Sequence, residues 1–156
     1  MTENFLWKQL KFVRGQTLKE TDGISEAEAD QMPDGFRNTI RWHLGHIFTV
    51  DAQLVAGLTG QAADLPDAYP IFFARGTKPA DWTEPAPSLS ELRSRLQEQP
   101  NQLEQLFRNR LDDRLLKPFN AGTLSVETVG ELLQFLAYHE ALHLGFIKGL
   151  KRAIGL

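Results

Sequence analysis

One stretch near the C-terminus constrains this chain more than any other. Val129, Leu132, Leu136, His139, His143, Phe146 and Leu150 recur there at three- and four-residue spacing. That period puts them on one face of an α-helix. Three other stretches carry the same pattern. Leu6, Leu10, Val13 and Thr17 mark a first helix over roughly 4–19. Ile40, His43, Ile47, Val50, Leu54 and Leu58 mark a second over roughly 39–58. Leu89, Leu92, Leu96, Leu103 and Leu106 mark a third that starts near Ser88. Four such stripes are buried most economically against one another, so the expected fold class is all-α, a four-helix bundle.

Punctuation in the chain sets the expected boundaries. Asn38 reads as the N-cap of the second helix. Ser25 with Glu28 forms a capping-box pattern that predicts a short extra helical turn, and Pro33-Asp34-Gly35 predicts a turn. Ser88 with Glu91 is another capping box, opening the third helix, and the fourth is capped by either Ser125 or Thr128, of which Thr128 with Glu131 fits the capping box better. Pro100 is expected to kink or interrupt the third helix. Residues 112–125 read as an irregular connection, and no strand set is expected. Residues 60–87 hold Pro66, Pro70, Pro79, Pro85 and Pro87. They also hold Tyr69, Phe72, Phe73 and Trp82, which need burial, so the segment reads as a structured crossover between helices two and three. A connection of that length lets those two helices run parallel. The 156 residues suit a single domain, 1–156.

Composition removes several function classes. There is no cysteine, so disulfides, thiolate ligands and a cysteine nucleophile are excluded, and any metal ligands must be histidine or oxygen. The net charge is −3, and the one basic cluster, Lys148, Lys151 and Arg152, suits a helix C-terminus better than a nucleic-acid surface. No nucleic-acid partner is expected. No run approaches the roughly 18 apolar residues of a membrane span, and no apolar leader segment is evident. A cytoplasmic location is the resulting expectation.

The four histidines carry the chemistry. His139 and His143 occupy consecutive positions in an otherwise apolar stripe. A buried imidazole without partners costs on the order of 2 kcal/mol or more, so two neighbours need a shared explanation. Side chains at i and i+4 lie one turn apart on one face, where two imidazoles can grip one metal. His46 is the expected third ligand. It lies about 40° from Val50 on a helical wheel, and Gly45 beside it permits a close approach by a neighbour. Three histidines leave an open coordination position, the pattern of catalytic sites.

Other polar residues have ordinary explanations. A lone core histidine is usually just hydrogen-bonded, and His43 is read as packed or supporting. Glu140 points about 100° away from His139 and reads as a solvated or structural carboxylate. Asp51 and Tyr138 are similar. Gln53 shares a row with His46, where it can line a cavity, and Trp42 reads as a packing residue. Arg75 and Gly76 read as a loop turn, with a lid over the site as the alternative.

Two segments resemble one family. Asn38-Thr39-Ile40-Arg41-Trp42-His43-Leu44-Gly45-His46-Ile47 resembles the second-helix motif of the DinB-like (YfiT-like) superfamily. His139-Glu140-Ala141-Leu142-His143-Leu144-Gly145 resembles its last-helix motif, and Phe72-Phe73-Ala74-Arg75-Gly76 through Pro87-Ser88-Leu89 its crossover. The H-E-x-x-H string also occurs in zincin proteases, but the bundle context argues against that class. The resemblance implies a metal-binding four-helix bundle, often a homodimer, with the ligand role on His46, His139 and His143. It also implies thiol S-transferase-like activity on a small-molecule substrate, with bacillithiol, mycothiol or glutathione as a low-molecular-weight thiol cosubstrate. The alternatives are a metal-dependent hydrolase and a non-enzymatic metal- or ligand-binding bundle. Zinc is the default metal, and nickel, cobalt and iron also suit nitrogen ligands.

Overall fold

The structure is a computed structural model and describes residues 2–156. Its elements in chain order are α1 (Glu3–Glu20), α2 (Glu26–Ala29), α3 (Ile40–Thr59), α4 (Tyr69–Phe73), α5 (Leu89–Phe107), β1 (Arg114–Ala121), β2 (Leu124–Thr128) and α6 (Val129–Ala153). A 3-10 turn, Pro79–Asp81, lies between α4 and α5. The chain is mostly helical, as expected. Among the described residues, no helix is long and apolar enough to cross a membrane.

The four long helices pack pairwise around a shared interior. α1 and α3 each lie against both α5 and α6. Leu6, Trp7, Leu10 and Val13 of α1 meet Leu132, Leu133, Leu136 and Ala137 of α6, with Phe107 at the end of α5. The other half of the core joins Ile40, Leu44 and Ile47 of α3 to Leu92 and Leu96 of α5, Tyr69 and Phe73 of α4, and Ile147 and Leu150 of α6. Two hydrogen bonds align α3 and α5 start to start. Arg41 Nη1 donates to the Pro87 carbonyl just before α5, and Gln99 Nε2 donates to the Phe48 carbonyl midway along.

Both capping boxes at Ser25–Glu28 and Thr128–Glu131 are complete. Three local expectations need correction. α3 is capped by Thr39, whose hydroxyl accepts from the Trp42 N–H, and not by Asn38. The box at the start of α5 is half formed. Ser88 caps it, but the Glu91 carboxylate instead accepts from the Tyr69 hydroxyl at 2.7 Å and so ties the crossover to α5. Of the two effects expected of Pro100, an interruption does not occur, since α5 runs as one helix through it. Proline cannot donate to the carbonyl four residues back, which is that of Leu96. Arg14 Nη1 donates to that carbonyl at 2.5 Å, so the bond lost to proline is replaced from α1.

The largest correction is the 112–125 connection. It is not irregular but contains an antiparallel hairpin, β1 with β2, which adds a small sheet to the all-α expectation. Ala121 pairs with Leu124 across the two-residue loop Gly122-Thr123. Gly122 has φ +63°, the left-handed conformation that such a tight loop needs at its first position. The register is irregular between Arg114 and Phe119, where Pro118 lacks a donor for the ladder. The hairpin packs on α3 and α6, and its Phe119 ring meets Phe135 edge to face at 5.0 Å.

Candidate metal centre

His46 is placed by three neighbours. The ring stacks on Trp42 one turn earlier, with centroids 4.3 Å apart and planes 16° from parallel. Its Nδ1–H donates to the Phe73 carbonyl at 2.7 Å. A carbonyl can only accept, so this bond fixes the proton on Nδ1 and leaves the Nε2 lone pair free. Gly45 makes the bond possible. A Cβ there would lie 2.4 Å from the Phe73 ring, so only glycine lets α4 seat against α3. The crossover thus reaches the site through Phe73, while Arg75 lies exposed in the turn after α4, and Gly76 has φ +91°. Trp42 Nε1–H donates to Thr77 Oγ1 at 2.9 Å, which fastens the same segment to α3.

α6 supplies the other two imidazoles. The Nε2 atoms of His139 and His143 are 3.1 Å apart. The His46 ring centroid lies 5.2 Å from that of His139 and 4.7 Å from that of His143. One ligand atom from each of the three histidines lies within 4.8 Å of the others. Metal–nitrogen bonds of about 2.0–2.1 Å at a tetrahedral angle put two ligand nitrogens about 3.3 Å apart, so the pair on α6 is spaced as a metal would hold it. The three residues expected as ligands are therefore brought together in a group that can hold a metal ion.

Burial sets the protonation of the cluster. Together with the neighbouring imidazoles, it pushes His139 down to about 4 and His143 to about 2. Burial also lowers His46, against the opposing pull of the Phe73 carbonyl. All three rings are neutral at neutral pH, the form a metal requires. His43, at about 3 for the same reason, lies beside them, with its Nδ1 2.8 Å from His143 Nδ1. His46 and His143 therefore each have a partner behind the ring, whereas the buried Nδ1 of His139 has none. That ring is flanked by Phe135, stacked at 6.3 Å.

The carboxylates near the cluster are committed elsewhere. Glu140 is 1% exposed, so it is not solvated; its carboxylate accepts from Arg14 Nε at 2.9 and 3.1 Å. Arg14 Nη2 also donates to Asp51 at 3.2 Å and to Gln99 at 3.1 Å. One guanidinium thus joins α1, α3, α5 and α6. Burial pushes the Asp51 carboxyl well above the ordinary range, with Arg14 opposing and Glu140 reinforcing the shift. Arg14 and Gln99 were missed as candidates, although both had a signal. Arg14 lies four residues after Leu10, and Gln99 sits between Leu96 and Leu103 in the apolar stripe of α5.

The Arg14–Glu140 pair also corrects the assumed inner face of α6. Glu140 takes the core position at that level, while His139 and His143 lie together to one side of it, half-buried and against His46 of α3. Phe146, expected in the buried stripe, is 55% exposed, and Ile147 is buried in its place. Tyr138 and Gln53 are exposed.

No curated protein matches the chain. The family profile described as the DinB superfamily matches residues 9–147. That span takes in the three histidines, the crossover and the greater part of all four long helices. With its match covering most of the sequence, the chain belongs to the DinB superfamily.

Proposed function

We propose that this chain is a divalent-metal-dependent enzyme on a single-domain four-helix bundle, in which His46, His139 and His143 hold the metal and a low-molecular-weight thiol is the cosubstrate. A divalent cation held by three neutral imidazoles would keep its positive charge and would favour the thiolate form of a thiol in the site. The transfer forms a carbon–sulfur bond to a small electrophile and breaks the bond to its leaving group. The thiol proton and the leaving group go to solvent. The Phe73 carbonyl holds the His46 lone pair toward the cluster, the rings of Trp42 and Phe135 stack against His46 and His139, and Arg14 keeps the carboxylates of Glu140 and Asp51 engaged elsewhere.

The observation that carries the choice of thiol transfer over hydrolysis is the position of Glu140. In an H-E-x-x-H hydrolase the glutamate would serve as the base for a metal-activated water. Here both of its oxygens accept from Arg14 Nε, which holds the carboxylate in the core and not toward the imidazole nitrogens. Asp51 is held by the same guanidinium. A thiol does not need that base, because its lower intrinsic pKa lets the metal alone favour the thiolate.

The test uses untagged protein loaded with zinc and supplied with bacillithiol, mycothiol or glutathione and a chromogenic aryl halide. Metal-dependent consumption of one thiol, abolished by His143→Ala, is expected. Absence of metal-dependent turnover with every thiol, together with turnover of ester or amide substrates, would replace this reading with hydrolysis.

A further inference from the structure

Two nitrogens 2.8 Å apart cannot both carry a proton, so the Nδ1 atoms of His43 and His143 share one. The side that owns it decides what His143 can do. With the proton on His43, His143 would be protonated at Nε2, and that N–H would point at the His139 Nε2 only 3.1 Å away. With the proton on His143 Nδ1, its Nε2 carries a lone pair facing the same place. We propose that His43 is a positioning residue: its Nδ1 accepts the Nδ1–H of His143 and so holds the His143 Nε2 lone pair toward His46 and His139.

The surroundings of His43 suit that task. The ring is 4% exposed and cannot exchange its partner for water. Phe146 stacks on it at 5.5 Å with planes 11° apart, and Trp42 meets it edge-on at 5.2 Å. His43 lies three residues before His46 on α3, so one helix delivers both a candidate ligand and the group that orients a ligand on α6. His143 thereby gains what the Phe73 carbonyl does for His46, an acceptor on the side of the ring away from the cluster.

The inference rests on the metal reading of the cluster, and the experiment separates the two. Long-range nitrogen–proton NMR on metal-free wild-type protein reads the tautomer of each histidine directly. His143 is expected as the Nδ1–H form and His43 as the Nε2–H form; an Nε2–H form of His143 overturns the proposal whether or not metal binds. Zinc affinity is then measured by chelator competition for wild type, His43→Phe and His43→Asn, with thermal melts to verify folding. Phenylalanine keeps the ring against Phe146 but cannot accept, and its affinity should fall about 10- to 100-fold. Asparagine places an acceptor oxygen where Nδ1 was and should recover most of that loss. Unchanged affinity in His43→Phe, or equal loss in both folded variants, overturns the positioning role. Failure of wild-type protein to bind zinc refutes the metal reading instead, and leaves the tautomer measurement to decide the hydrogen bond.

Discussion

Replacing Arg14 with leucine removes a cation from the point where four helices meet. In the wild type its guanidinium serves Glu140 twice, Asp51, Gln99 and the Leu96 carbonyl. Leucine fills part of the volume but leaves the Glu140 carboxylate buried without a counter-charge. Breaking a buried pair from one side costs about 3–5 kcal/mol. The Leu96 carbonyl also loses its donor, since Pro100 cannot supply one, which places the expected loss toward the upper end of that range. At roughly 2–4 °C per kcal/mol for a domain of this size, the melting temperature should drop by about 6–20 °C. Urea denaturation at pH 7, with circular dichroism as the probe, measures the free-energy change. The companion variant Arg14→Leu with Glu140→Leu removes both charges, and buried ion pairs replaced whole by apolar groups are often tolerated. It should be more stable than Arg14→Leu alone. A single variant within about 1 kcal/mol of wild type, or a double variant worse than the single, would refute the argument that an uncompensated carboxylate is what costs.

Three further outcomes follow from the geometry. His139→Ala should leave untagged, nickel-free preparations with little of the metal that elemental analysis finds in wild type; equal content in both would remove His139 from the site. Metal-free protein should lose stability as pH falls below about 6.5. His43, His139 and His143 have folded values of about 3, 4 and 2, below the unfolded value, so the unfolded chain binds more protons in that window. Each such histidine steepens the fall by up to about 1.4 kcal/mol per pH unit, and a flat denaturation profile between pH 6.5 and 4.5 would contradict it. Gly45→Ala should cost about 1–3 kcal/mol by overpacking against Phe73 and should also weaken metal binding, because the Phe73 carbonyl must shift away from His46. Wild-type metal affinity in that variant would show that the carbonyl does not orient the ring.

The sequence determined the helices and the three candidate ligands. Apolar residues at three- and four-residue spacing can be buried only as helical faces, and side-chain caps at Ser25, Ser88 and Thr128 mark where three of the helices begin. The i,i+4 spacing of His139 and His143 is a local property of α6, and so was readable. The β1–β2 hairpin was not. Its strands lack clean alternation, Pro118 breaks the ladder, and its stability comes from packing on α3 and α6 rather than from its own pattern. Tertiary structure alone decided which residue takes the core position beside the two histidines. A helical wheel ranks side chains by polarity and would send Glu140 to solvent. Only the arrival of Arg14 from α1 makes its burial affordable, and that rotation of α6 turns His139 and His143 toward His46. Hydrogen-bond partners distant in sequence likewise set what each imidazole can offer. The Phe73 carbonyl fixes the tautomer of His46, and His43 meets His143 across 100 residues of chain, contacts that no local spacing encodes.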